Sequence, residues 1–489
     1  MVRLLKRWIL IVVSSNTIVY AQQIGYTTFH PQPEEEPRIQ AIELDLAIYN
    51  ELFMKNGEPL RSTDPMVTED HTVWIYHEVQ CPEEDEKEGP IELSVPFKQE
   101  SLFQADNTLN YEQFNEFLTG TTINGLSFQT DANTSGFYHI PPDPSGAVGT
   151  THVCHVVNTS IHCHTKEGVA ASGFPQSMST FFSSLSPQNV GFDPKILWDQ
   201  YENRFVVVNL ILEATSSGDP ANVSRVLIAV SEGADPTGTW HFQAIDAAQT
   251  INSTESWFDY PGFAVDEEAV YITGNYFTFS NNASIGQRLI IIDKGVSGGI
   301  YDGTTSADEN PATNSNFNLI DPNPPFVMTL QPAHIFGISP SGSIGTWLVG
   351  YSGLTNSVQD FLQVGQINDP LGTPTFSWDN VSMGDVDNNN AIMVNAPQSG
   401  NVNTIETNDR RTLNAVWRDN ALWVTTTVVP GTGANTGEAT ALWAKLNEDG
   451  VNIPTVEFTG EVGGEDIAAG SSTYMASIAV NSVGDAAVG

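Results

Sequence analysis

Positive charge is scarce in this chain. Only 18 lysines and arginines stand against 58 aspartates and glutamates, a formal charge of −40. Nucleic acid and anionic membranes are both gripped by clustered Lys and Arg, so neither is an expected partner. The acidic balance favours cations and basic partners instead, or serves as a solubilising coat. Three cysteines exclude a scaffold built on disulfides. After the first residues no apolar run nears the ~18 needed for a spanning helix, so no membrane span is expected. Gly-x-Ser-x-Gly elbows between strand and helix are missing, as are phosphate-cradling glycine loops. Convincing helices of ten or more residues are missing beyond about residue 136.

The beginning of the chain has the layout of an export signal. Arg3, Lys6 and Arg7 precede a short apolar core from Trp8 to Val13, and Val19 and Ala21 suit a cleavage site before Gln22. Residues 1–21 are therefore expected to be a signal peptide, and the protein to be secreted. Residues 22–135 carry two acidic runs, Pro31–Pro37 and Pro82–Gly89, around one amphipathic stretch (Ile39–Phe53) and one strand-like stretch (Thr72–Val79). This composition predicts a small acidic N-terminal region with linkers.

From residue 136 to 489 short β-branched and aromatic runs alternate with Asp, Asn, Gly and Pro clusters. Arg204–Ile211, Arg225–Ser231, Ala269–Asn275 and Ala421–Val428 are examples. The pattern predicts an all-β chain. Asp-Pro-x-Gly recurs at Asp143, Asp235 and Asp369, good type I turn chemistry at separations near two and three units of roughly 45 residues, the length of one propeller blade. Gly-Thr-Trp also recurs, at Gly238–Trp240 and Gly345–Trp347. The expected fold is a β-propeller of six or seven blades, preceded by the small acidic region. Ser477–Gly489 reads as a strand, a turn and a further start, so either it closes the ring or the sequence is a fragment.

One hairpin is readable in register. Thr151–Thr165 forms two strands around an Asn158-Thr159 turn, which sets Val157 opposite Ser160 and Cys154 opposite Cys163. The cysteines then fall at a non-hydrogen-bonded pair, where side chains approach closest, and a cross-strand disulfide is expected, with Cys81 left over. The same register brings His155, His162 and His164 onto the other face. They suit Zn²⁺ or Cu²⁺; the plainer alternative is packing between sheets, since no carboxylate is fixed nearby by sequence. Asp385, Asp387 and Asn389 alternate oxygen side chains as a calcium loop does, without its downstream Gly and Glu. No cofactor is required by any motif, and calcium is the one the acidic surface suggests.

The succession Pro141–Gly149 (PPDPSGAVG), Val157-Asn-Thr, Phe192-Asp-Pro-Lys, Trp198–Phe205 (WDQYENRF), Asp235–Trp240 and Phe258–Gly262 (FDYPG) resembles a group of secreted microbial propeller-like proteins. Ala396-Pro-Gln, Asp409-Arg-Arg and Ala415-Val-Trp extend it across residues 136–489. The resemblance implies a fold and an extracellular place, and no activity.

Two functions remain open. With many loops and no evident reaction centre, the first is a non-catalytic, monomeric surface or binding protein that offers blade loops to a glycan or protein. The alternative is an extracellular glycoside hydrolase of polysaccharides using the carboxylates of Asp143 and Asp193, which are faintly similar to motifs of five-bladed glycosidases. Glycoside hydrolysis needs two carboxyl groups at one pocket. Asp-Pro in plain turns counts against it; convergence of the two at one axial funnel would count for it. Arg204, Arg225, Arg288 and Arg410, at strand starts, are expected to tie blades to carboxylates.

Overall fold

The computed structural model describes residues 125–489, apart from short segments such as 214–221, 304–307, 323–327, 389–391, 399–403 and 448–453. Before residue 125 it gives only isolated strand pairs. Nothing else of the signal peptide or the acidic region up to residue 124 is described, and Cys81 and Asn389 lie outside the described residues.

Strands of β-branched and aromatic residues pair into five sheets of four or five strands, antiparallel except where Asp308–Glu309 and His334–Phe336 add parallel edges to the second and fifth. Blade 1 holds Ser145–Val148, His152–Val157, Ser160–Thr165 and Gln176–Ser177. Blade 2 is built on Phe192–Asp199, Arg204–Glu213, Val223–Ser231 and Trp240–Asp246. Blade 3 centres on Thr254–Val265, Ala269–Thr278 and Ser284–Asp293. Blade 4 joins Gln331–Pro332 to Ile344–Gly350, Asp360–Asn368 and Thr375–Gly384. Blade 5 comprises Thr412–Arg418, Ala421–Val428, Thr440–Asn447 and Thr455–Val462. The innermost strands lie against one another in this order, which makes the arrangement a five-bladed propeller.

A sheet with two apolar faces has to be covered twice, and successive blades do this for one another. Cys154, Val156 and Ile161 of blade 1 pack on Phe205, Val207 and Leu227 of blade 2. Val206 and Ile228 on the other side of blade 2 pack on Trp257, Val270 and Ile272. Tyr271 and Ile291 meet Leu348 and Phe361, and Trp347 and Val364 meet Trp417 and Val424. The far face of blade 5 is covered by a C-terminal hairpin, Ile478–Val480 with Ala486–Val488. Gly262 lets blade 4 approach the axis: a Cβ there would lie 2.7 Å from Pro332 Cδ and 2.8 Å from the Leu330 carbonyl.

The blade number corrects the expected six or seven. Asp235 and Asp369 do head tight turns, each accepting from the glycine three residues on (3.2 and 3.1 Å). These turns sit before the outer strands of blades 2 and 4, two blades apart rather than three. Asp143 is not a turn of that kind but lies before an innermost strand. Gly-Thr-Trp likewise falls on an outer strand in blade 2 and a second strand in blade 4, so it marks no repeat. Strands of eight to twelve residues in blades 2 and 3 make a longer unit than the 45-residue estimate. No helix among the described residues is long and apolar enough to cross a membrane. The helix Phe128–Ser135, α1, is capped by Ser127 and ends at the left-handed Gly136.

Candidate active site at the propeller axis

Four of the five innermost strands carry a residue followed by proline: Asp143-Pro144 just before its strand, Asp193-Pro194 and Gln331-Pro332 at strand starts, and Tyr260-Pro261 at an irregularity inside Thr254–Val265. Proline offers no N–H, which suits a strand whose inner edge has no neighbour to bond. It also pushes the preceding residue out of the right-handed helical region. At three of these positions the backbone is instead left-handed: φ is +40° at Asp143, +47° at Asp193 and +48° at Tyr260. Such values are uncommon outside glycine and, for a tyrosine, costly. The fold holds strained residues from blades 1, 2 and 3 around one point.

Asn158, the turn residue of the blade 1 hairpin, ties two of them together. Its side chain is fully buried, so although it begins an Asn-x-Ser/Thr sequon it is no site for a glycan. Its amide nitrogen donates to Asp143 Oδ2 and, at 2.7 Å, to the Pro141 carbonyl. Its amide oxygen accepts from the backbone N–H of Asp193 at 2.6 Å. Asp193 is 3% exposed, and neither of its carboxylate oxygens has a hydrogen-bond partner. Burying a carboxylate without partners is expensive, and a site that does so has a use for the unspent oxygens.

Asp143 is half-buried, and its carboxyl is pushed up to about 7. Burial is the main cause and the negative charge of Asp193 the second, opposed by Lys195, the Asn158 hydrogen bond and Arg411. Tyr260 lies in the same field. Burial raises its phenol well above the ordinary value against the pull of Arg411, while Asp143, Asp193 and Asp409 push it further. Its ring has the Arg411 guanidinium 4.6 Å from its centroid and the Lys195 ammonium at 5.4 Å. Arg411, just before the blade 5 strand Thr412–Arg418, is held by Asp409 through Nε at 2.7 Å and Nη2 at 2.5 Å. Blades 1, 2, 3 and 5 thus bring the Asp143 and Asp193 carboxyls, a phenol and two cations into one electrostatic unit, with the raised Asp143 carboxyl beside an Asp193 whose oxygens have no hydrogen-bond partner.

The two aspartates therefore converge, while Asp235 and Asp369 cap their own turns, accepting from Thr237 N (2.9 Å) and Thr373 N (3.0 Å). Sequence reading left out Asn158, Tyr260, Lys195 and Arg411. Only Tyr260 carried a faint signal, the residue-proline step it shares with Asp143 and Asp193, which reads as turn chemistry until the strands are placed; Asn158, Lys195 and Arg411 carried none.

Other expected sites fare differently. Cys154 and Cys163 are paired in the expected register and form the disulfide. His155, His162 and His164 share one face, with a nitrogen of each within 4.8 Å of the others. The calcium reading of Asp385, Asp387 and Asn389 finds no support. Asp387 is buried and spends its oxygens on Arg410 (2.5 Å), Tyr351 (2.8 Å) and the Val429 N–H (3.0 Å), while Asp385 is exposed. Among the arginines, Arg410 and Arg288 pair with Asp387 and Asp321 (3.2 Å), as expected, whereas Arg204 donates to the Tyr301 carbonyl.

No family model and no curated protein matches this chain. Solved structures do. The GH93 α-L-arabinofuranosidase of Fusarium graminearum is 10% identical with a TM-score of 0.34, over 69% of this chain and 83% of that one. An exo-β-1,3-galactanase from Clostridium thermocellum is 11% identical with a TM-score of 0.32, over 72% and 68%. The GH43 endo-arabinanase of Bacillus licheniformis is 13% identical with a TM-score of 0.24, over 64% and 96%. At this distance the likeness carries no residue-level argument. By name these matches are glycan-cleaving enzymes, so the expectation of a non-catalytic surface protein is corrected; with TM-scores under 0.5 they carry no argument for this chain's own activity.

Proposed function

We propose that the protein cleaves glycosidic bonds in a polysaccharide at the axial site, with Asp143 and Asp193 as its working carboxyl groups. The observation that carries this reading is the pairing itself: a carboxyl raised to about 7 beside a buried aspartate with two unpartnered oxygens. Cleaving a glycosidic bond needs one carboxyl that gives a proton to the departing oxygen and another that is charged. Asp143 is the donor and Asp193 the charged partner, acting on water or on the sugar. Asn158 holds both in place, and Tyr260 stays protonated as a further donor. A glycan is accordingly the ligand. We place the reaction outside the cell, where the signal-like start and the disulfide both belong.

The test is product release from a panel of arabinans, galactans and xylans, followed by chromatography of the oligosaccharides. Wild-type protein is expected to release product from at least one of them, and Asp143→Asn and Asp193→Asn to release it at least ~100-fold more slowly. Equal release by both variants, or no release from any polymer by folded wild type, overturns the proposal.

A further inference from the structure

Blade 1 breaks the rule by which apolar side chains cover both faces of a sheet. Its near face gives Cys154, Val156, Ile161 and Cys163 to the layer shared with blade 2. Its far face presents His155, His162 and His164, all on the two central strands. Ring centroids lie 3.9 Å apart for His162 and His164, 5.4 Å for His155 and His164, and 5.5 Å for His155 and His162. His162 is 9% exposed and His164 6%, yet both ring nitrogens of His162 and Nδ1 of His164 have no hydrogen-bond partner. Three valines would cover the face without that cost, since an unsatisfied buried polar group is worth about 1–3 kcal/mol of lost stability. Such a face makes sense when something else uses the lone pairs.

We infer that His155, His162 and His164 form a transition-metal site for Zn²⁺ or Cu²⁺. Three nitrogens within 4.8 Å need modest ring rotations to meet an ion at about 2.0–2.1 Å. The donor set is all imidazole, which selects a borderline ion over Ca²⁺ or Mg²⁺ and removes the need for a carboxylate. Burial holds His162 down at about 4, with His164 as a further cause, and lowers His164 as well. Both rings are therefore neutral ligands at neutral pH. His155 Nε2 accepts from the backbone N–H of Leu126 at 2.9 Å, so the metal takes over that lone pair and frees the segment leading into α1. His155 is the least buried of the three, and its side is the way in. The site lies on the hairpin faces away from the axis and stands or falls independently of the axial carboxyls.

The experiment uses untagged, full-length protein stripped with chelator and held in excess Ca²⁺ and Mg²⁺, which occupy the acidic surface. Calorimetry with Zn²⁺ is expected to give one ion per chain. Electron paramagnetic resonance of the Cu²⁺ form is expected to show coupling to imidazole nitrogens. Removing a ligand costs more than removing its outer hydrogen-bond partner, itself worth about 10–100-fold in affinity. His162→Ala and His164→Ala should thus each weaken binding ~100-fold or more, and His152→Ala, on the opposite face, should not. His155→Gln covers the case in which a buried variant fails to fold, and should also weaken binding. Binding that survives the three substitutions, an oxygen-only spectrum, or no stoichiometric uptake by wild type overturns the site.

Discussion

Strand Phe192–Asp199 carries a buried aspartate near each end, and the fold treats them in opposite ways. Asp199 is satisfied on every side: Lys294 Nζ lies at 2.6 Å, the Tyr301 hydroxyl at 2.8 Å, and the N–H groups of Tyr201 and Glu202 at 3.0 and 3.2 Å. Lys294 in turn donates to the Asp266 carbonyl, and His334, lowered by burial to about 3, bonds Gln200. A cleft of about 440 Å³ opens beside this network, lined by Glu202, Arg204, Lys294 and Tyr301. Asp193 has neither an ion-pair partner nor a hydrogen bond on its oxygens. Burial is the same at both ends; what differs is whether the charge has been spent. A spent carboxylate holds blades together, and an unspent one beside a proton-bearing neighbour is available for chemistry.

The comparison is broken most severely by substituting its two members. Asp193→Asn is expected to lower turnover of a cleaved polymer by about 10²–10⁴-fold while leaving folding intact or improved, since it removes an unpaired buried charge. Asp199→Asn is expected to do the reverse. Stripping one partner from a buried ion pair costs about 3–5 kcal/mol, read in a chemical-denaturation midpoint, with activity per folded molecule retained. If Asp199→Asn is neutral and Asp193→Asn unfolds the protein, the assignment of roles is inverted.

Proton linkage sharpens the contrast further. The raised carboxyl of Asp143 binds its proton more tightly in the folded chain than in the unfolded one, where the value is about 3.9. Its contribution is fully present below about 4 and is lost as pH rises towards 7. Denaturation midpoints should fall across that window, and Asp143→Asn should flatten the part of the slope due to this group. The smallest effect concerns Asn158. Its hydrogen bond lowers Asp143, so Asn158→Ala should move the alkaline limb of the pH–rate profile upward, by less than about one unit. A downward move would show that Asn158 does not serve the charged form.

The hairpin that carries Asn158 was legible residue by residue. A two-residue turn fixes register, and register fixes both the disulfide and the shared face of His155, His162 and His164. Blade number was not legible, because one tetrapeptide serves as a rim turn at Asp235 and Asp369 and as the approach to an inner strand at Asp143. Chemistry suffered from the same ambiguity. Asp143 and Asp193 could be named as a pair but not told from turn residues, since only the stacking of blades brings separate strand starts to one axis. Arg411 and Tyr260 sit in quoted motifs, yet their partners come from other blades and leave no local pattern.

The central claim is that Asp143 keeps its proton near neutrality because it is buried and, second, because Asp193 lies beside it. Carboxyl ¹³C NMR with Asp143 assigned, recorded as a titration of wild type and of Asp193→Asn, tests this without needing a substrate. Titration near 7 in wild type, shifted clearly downward in the variant, is the result expected. An Asp143 that titrates close to 4 in both proteins contradicts the claim and removes the basis for the enzyme.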